Sequence, residues 1–179
     1  LAHFFGADEL SLFFAAFRLP DLVFEVLVFG TFSSAFIPVF TKSLKNKGSR
    51  HAWDIASTVV NLSLLVFAVF ALILGFWAER FYSYFTPGFE LADQQRIASL
   101  ARILFAAQGF FVISYVLTGV LESLRRFFIP ALAPLFYNLG IIFGTMFFAE
   151  KMHLLAPVFG VVIGAFAHLA IQLPFAVKL

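Results

Sequence analysis

Arg18, Asp21 and Glu25 are ionisable residues in an otherwise apolar run, 10–40. Their spacing of i, i+3 and i+7 aligns them along one face of a helix. A charge at the centre of a bilayer costs about 2.5 to 3.5 kcal/mol, so three turned toward lipid would cost on the order of 8 to 10 kcal/mol. They are therefore expected to face a bundle interior. Two arrangements satisfy that demand. The three can line a water-filled cavity, or Arg18 and Asp21 can form a buried pair that fixes helix register while Glu25 reaches the interface. Pro20 lies within the same stripe. It removes one backbone hydrogen bond and bends the helix, and the carbonyl it releases must be satisfied by protein or water.

The elements that position this stripe follow from composition. The 179 residues are 62% hydrophobic and only 12% charged, with a mean hydropathy of +0.98, against about 25% charged in a soluble domain. The stretches 55–78, 103–121, 127–149 and 152–177 contain no Asp, Glu, Lys or Arg. A helix rises about 1.5 Å per residue and the hydrocarbon core is about 30 Å thick, so roughly 20 apolar residues cross it. Continuous apolar runs, without the alternation of lipid-facing strands, indicate helices rather than a barrel. The fold class is all-α, a polytopic transmembrane bundle.

The run 10–40 would measure about 46 Å as one helix, too long for a plain span. Gly30 followed by Thr31 offers a break, so a first span is expected over about 10–29, with an amphipathic segment and basic loop over 31–51. Two short spans are the alternative. Further spans are expected over about 57–77, 98–121, 130–148 and 155–176, all within one partial membrane domain, 1–179. Lys42, Lys45, Lys47, Arg50, Arg125, Arg126 and Lys178 then fall on one side, and Arg80, Arg96 and Lys151 on the other. This asymmetry places the first group in the cytoplasm. Thr86, Pro87, Gly88 and Phe89 form an external turn, and Trp53, Trp77, Tyr82 and Tyr84 fall where an aromatic belt would place them. Arg102, near the outer end of its helix, is expected to snorkel. The chain begins with Leu1 and stops after a span, which reads as a fragment of a longer protein.

Gly140 with Gly144, and Gly160 with Gly164, each give G-x-x-x-G in mid-span, the spacing that lets two helices approach closely. Asn61, Gln108, Asn138, His168 and Gln172 are polar groups inside spans, expected to join helices by hydrogen bonds. Nothing forms a catalytic set. There is no cysteine, no H-E-x-x-H, no G-x-S-x-G and no P-loop, and the four histidines are scattered, so no metal, cofactor or enzymatic activity is expected. The basic residues serve topology, which argues against a nucleic-acid partner.

Several segments share an order and spacing with a known family: F-G-A at 5–7, A-F-R-L-P-D-L at 16–22, F-S-S-A-F-I-P-V-F at 32–40, T-P-G-F at 86–89, R-F-F-I-P-A-L-A-P at 126–134 with Asn138, and Q-L-P at 172–174. This set resembles the MurJ (MviN) family of lipid II flippases, within the MATE-like exporter superfamily. The resemblance implies the end of the first membrane helix through the sixth of about fourteen, part of an N-terminal lobe whose remaining C-terminal helices are partners in the same chain. It also implies a multi-pass protein of the bacterial cytoplasmic membrane, a transporter that moves the lipid-linked peptidoglycan precursor from the inner to the outer leaflet by alternating access. Membrane lipids are the other partner.

Arg18 matches a basic position of the family. The family pattern has an acidic residue where Ser11 stands, adjacent arginines where Phe24 and Glu25 stand, and Glu where Phe29 stands. Substrate binding is accordingly expected at Arg18, Asp21 and Glu25: Arg18 contacting the pyrophosphate, Asp21 orienting Arg18, and Glu25 responding to the coupling step. Another MATE-like exporter of drugs or lipid-linked oligosaccharide, a non-transporting membrane scaffold and an intramembrane enzyme are the alternative classes.

Overall fold

The structure, a computed structural model, describes residues 1–26 and 32–177. Among these residues the chain is all-helical: α1 (Ala7–Phe24), α2 (Phe32–Lys47), α3 (Ser49–Phe76), α4 (Ala78–Phe85), α5 (Leu91–Ser123), α6 (Phe128–Met152) and α7 (Leu155–Ala176). Helices α3, α5, α6 and α7 are long and apolar enough to cross a membrane. The chain is thus a multi-pass helical membrane protein. α1 carries Asp8, Glu9, Arg18 and Asp21 within 18 residues and is not among those four. The break expected at Gly30 and Thr31 lies outside the described residues.

The basic stretch expected as a loop is largely helical. Lys42, Lys45 and Lys47 lie in α2, consistent with the good helix propensity of lysine. A single residue, Gly48, separates α2 from α3, with φ at +85°, a backbone state that glycine adopts without steric cost. Arg50 then falls in the first turn of α3.

α5 is the axis of the bundle and touches α1, α2, α3, α4, α6 and α7. Over its most apolar stretch 56% of residues are buried, against 6% for α3. The difference has a sequence basis. α5 offers small residues to its neighbours, with Ala98, Ala101, Ala107, Ser114 and Gly119 all buried, whereas only Ala52, Ala56 and Phe67 are buried on α3. Over its C-terminal two-thirds α3 exposes apolar side chains, Leu62, Leu65, Val69, Phe70, Leu72 and Phe76 among them, for which lipid or other protein is the favourable environment.

α6 and α7 pack antiparallel through the two glycine pairs. A Cβ added at Gly144 would stand 2.5 Å from Gly160 Cα and 2.8 Å from the Ala156 carbonyl oxygen, and one at Gly140 would meet Gly164 Cα. The G-x-x-x-G expectation is met as a backbone-to-backbone crossing. Four glycines bring the helices together where any side chain would hold them apart.

At its C-terminus α5 is closed by paired reverse hydrogen bonds. Arg126 N–H donates to Leu121 O at 2.8 Å and Arg125 N–H to Glu122 O at 2.9 Å. This is the Schellman arrangement, but the left-handed position that usually holds glycine is filled by Arg125, φ 59°. The Arg126 guanidinium donates onward to Phe175 O at 2.9 Å, fastening the end of α5 to α7.

Candidate functional site

The apolar positions of α1 that face the bundle are Leu12, Phe13, Ala16, Leu19, Pro20, Val23 and Phe24, all buried. Burying that face on α5 and α3 turns the opposite one outward. Ser11, Phe14, Arg18, Leu22 and Glu25 are exposed there, with Asp21 half-buried at the margin. Arg18, Asp21 and Glu25 line one cleft of about 770 Å³, whose far wall is Phe81, Tyr82, Phe85 and Thr86 of α4 and the turn after it. Arg18 and Asp21 also border a second cleft of about 480 Å³, against Phe17 and, on α6, Tyr137 and Ile141. The three residues thus share the wall of an open cleft, with Arg18 and Glu25 exposed on the outward face of α1 and Asp21 half-buried, rather than turned into the interior of the described helices.

The buried Arg18–Asp21 pair is not what the structure holds. The salt bridge among the described residues joins Arg102 to Glu79 at 3.0 Å. Asp21 Oδ1 instead accepts a hydrogen bond from Gln108 Nε2 of α5 at 2.5 Å. Asp21 sits at the edge of the buried face, within reach of α5, while Arg18 one turn earlier stands on the outward face. Asp21 is therefore positioned by Gln108, and the Arg18 guanidinium, without a salt bridge among the described residues, stands at the junction of the two clefts. A charge-assisted bond from a neutral amide anchors the carboxylate without consuming the cation.

Pro20 is accommodated through Tyr82. The backbone N–H absent at Pro20 would have served Ala16 O, four residues earlier, and the Tyr82 hydroxyl donates to that oxygen at 2.9 Å. Tyr82 is 1% exposed. Its position in the sequence suggests a belt residue at the membrane surface; it is instead a buried donor, and burial pushes its phenol ionisation upward, so that it stays protonated. Of the other belt candidates, Trp77 and Tyr84 are exposed and Trp53 is half-buried. A sequence signal for Tyr82 existed only in part. Pro20 announced a carbonyl in need of a donor, but nothing local names a partner 66 residues away.

Other polar groups join helices as expected, with exceptions. Ser114 Oγ of α5 lies 2.6 Å from His168 Nδ1 of α7, Gln172 Nε2 donates to Ser114 Oγ at 2.7 Å, and the Thr118 hydroxyl donates to Gln172 Oε1 at 2.9 Å. This ladder ties α5 to α7. Asn138 instead donates within its own helix, to Pro134 O at 2.9 Å, and Asn61 is exposed on α3. Arg102 reaches back to α3, its Nε donating to Gly75 O at 2.9 Å. A further cleft of about 710 Å³ beside Arg102 is walled by apolar residues of α3 and α5 and offers little polar chemistry.

The structure is thus a helical, multi-pass membrane protein that sets an arginine and two carboxylates along one cleft, and ionisable groups held by a membrane protein are candidate functional groups. The chain belongs to the lipid II flippase MurJ family, whose sequence model matches residues 1–179. It is 30% identical to the probable lipid II flippase MurJ of Buchnera aphidicola subsp. Acyrthosiphon pisum, over 100% of this chain and 36% of that protein. It is 29% identical to the lipid II flippase MurJ of Burkholderia cenocepacia, over 97% of this chain and 35% of that protein. The probable lipid II flippase MurJ of Thermotoga maritima is 29% identical, over 98% and 36% respectively. The chain spans about a third of the length of these curated relatives.

Proposed function

We propose that this protein acts in the translocation of lipid-linked peptidoglycan precursor, lipid II, from the inner to the outer leaflet of the bacterial cytoplasmic membrane, and that Arg18, Asp21 and Glu25 face the cargo. Family membership supports the cargo, and the exposed Arg18 on the cleft supports the site. A pyrophosphate head group crossing a low-dielectric slab needs cationic donors along its path. The guanidinium presents planar, paired N–H groups suited to phosphate oxygens. Asp21, held by Gln108, stays off Arg18 and faces sugar or peptide donors of the head group. Glu25, one turn further along the cleft wall, takes the role of responding to the coupling step. Movement of one charge through 100 mV supplies about 2.3 kcal/mol, enough to bias such a cycle. The open side of the cleft is where further helices, of the kind that make the relatives longer, complete the cavity and give the second lobe for alternating access.

The observation that carries this reading is the free guanidinium at the meeting of two clefts. Arg18→Ala in the full-length protein is expected to abolish lipid II flipping in proteoliposomes, and Arg18→Lys to retain a reduced rate, since lysine keeps the charge and loses the bidentate fork. Undiminished flipping by a folded Arg18→Ala variant would refute the assignment.

A further inference from the structure

We propose that Tyr82 is a positioning residue: its hydroxyl stands in for the backbone donor that Pro20 removes from α1, and so makes the short helix α4 the brace that sets where Arg18 and Asp21 stand in the cleft. The inference rests on the reading of that cleft as the cargo site only for its consequence in transport. The brace itself is a matter of geometry.

The carbonyl of Ala16 is the one whose intrahelical donor Pro20 removes. Ala16 is fully buried, and Leu19 is 1% exposed, so water has no ready access to replace the missing N–H. A buried carbonyl without a partner is among the costlier defects in a membrane interior. Tyr82 fills that place from outside the helix. Its ring also forms part of the far wall of the cleft that Arg18, Asp21 and Glu25 line, so a single side chain touches both the carbonyl released by Pro20 and the wall.

Tyr82 is itself held at the other end. The Thr86 hydroxyl donates to Tyr82 O at 2.5 Å, and Gln94 Nε2 of α5 donates to Thr86 O at 2.9 Å and to Phe89 O at 3.0 Å. A continuous chain of hydrogen bonds therefore runs from α5 through the turn and α4 to the carbonyl released by Pro20. Arg18 lies two residues before that proline and Asp21 one after it, so the path of the backbone at Pro20 sets the separation and direction of these two side chains. A proline leaves its helix one hydrogen bond short at that turn, and a donor held on a fixed arm restores the lost tie.

The test is a cycle of Tyr82→Phe, Pro20→Ala and the double variant in the full-length protein. Pro20→Ala returns the backbone N–H to Ala16, which removes the need for the phenol and keeps the double variant foldable. Two quantities are read in each: the spin-label distance distribution between exposed sites on α1 and α4 without cargo, and the affinity for lipid II. Tyr82→Phe alone is expected to broaden the distribution and weaken lipid II binding by on the order of tenfold, whereas in the Pro20→Ala background the same substitution changes both by less than about twofold. An equal effect in both backgrounds overturns the proposal, because the hydroxyl would then act elsewhere than on that carbonyl. So does a lower melting temperature with distance and affinity unmoved, the result of a purely structural bond. If the distances respond as expected while the unsubstituted protein binds no lipid II, the brace stands and the cargo assignment falls.

Discussion

The glycine crossing of α6 and α7 makes a quantitative demand on stability. Consider Gly144→Ala. The new methyl group would lie 2.5 Å from Gly160 Cα and 2.8 Å from Ala156 O, whereas ordinary contact begins at 3.4 Å. The helices must therefore part by about 0.9 Å at that point. The atoms in the way are backbone, which has no rotamer to change, and parting also loosens the contacts of Gly140 with Gly164. Overpacking of this kind costs roughly 1 to 3 kcal/mol, and the higher helix propensity of alanine returns up to about 1 kcal/mol. A net loss of about 1 to 2 kcal/mol is expected, near a tenfold change in the folded ratio. Gly75→Ala in α3 is the control, since no atom lies within 4 Å of the Cβ it would add; it should be neutral or slightly stabilising. The measurement is thermal unfolding of the purified full-length protein in detergent, followed by size-exclusion fluorescence. If Gly144→Ala melts at or above the parent temperature while Gly75→Ala behaves as described, the close crossing is not what holds these helices.

Ser114→Ala deletes a hydroxyl that meets both His168 and Gln172, and should cost about 1 to 2 kcal/mol. That exceeds the average of about 0.6 kcal/mol for a membrane interhelical bond because two short bonds are lost at once, leaving Gln172 Nε2 only its longer contacts to His168 Nδ1 at 3.4 Å and His168 O at 3.3 Å; an unchanged melting temperature would count against it. Arg125→Gly relieves the left-handed backbone at the end of α5 and should stabilise by about 1 kcal/mol, visible as a raised melting temperature, provided the Arg126 bond to Phe175 O is kept.

The parts of this structure that were legible in the sequence are those governed by local rules. Uncharged apolar runs became long helices, the T-P-G-F segment became a turn closed by the Phe89 to Thr86 bond, and paired glycines became a crossing. The stripe at Arg18, Asp21 and Glu25 was legible because helical periodicity alone puts its members on one side. What stayed hidden depends on pairing across distance. Whether Asp21 turns to Arg18 or to Gln108 is decided by which face α5 covers, and Tyr82 looked like a surface aromatic because its partner becomes visible only when α4 folds back on α1. The basic stretch 42–47 carries the charge of an interfacial loop, yet lysines continue a helix well when they lie outside the hydrocarbon, and α2 runs through them.

Gly48 leaves α2 and α3 no slack. With one residue between two helices, their mutual angle is governed by a single pair of backbone torsions, and the residues of α3 keep a fixed rotational phase relative to α2. Inserting one residue into the joint would turn every later position of α3 by about 100°, one helical step, carrying Phe67 away from Phe105 and presenting a different set of side chains to α5. The joint is therefore constrained twice, in side chain because a positive φ at Gly48 strains any other residue and in length because one residue sets the phase, and a scan of insertions along the chain should find it among the least permissive points outside the spans.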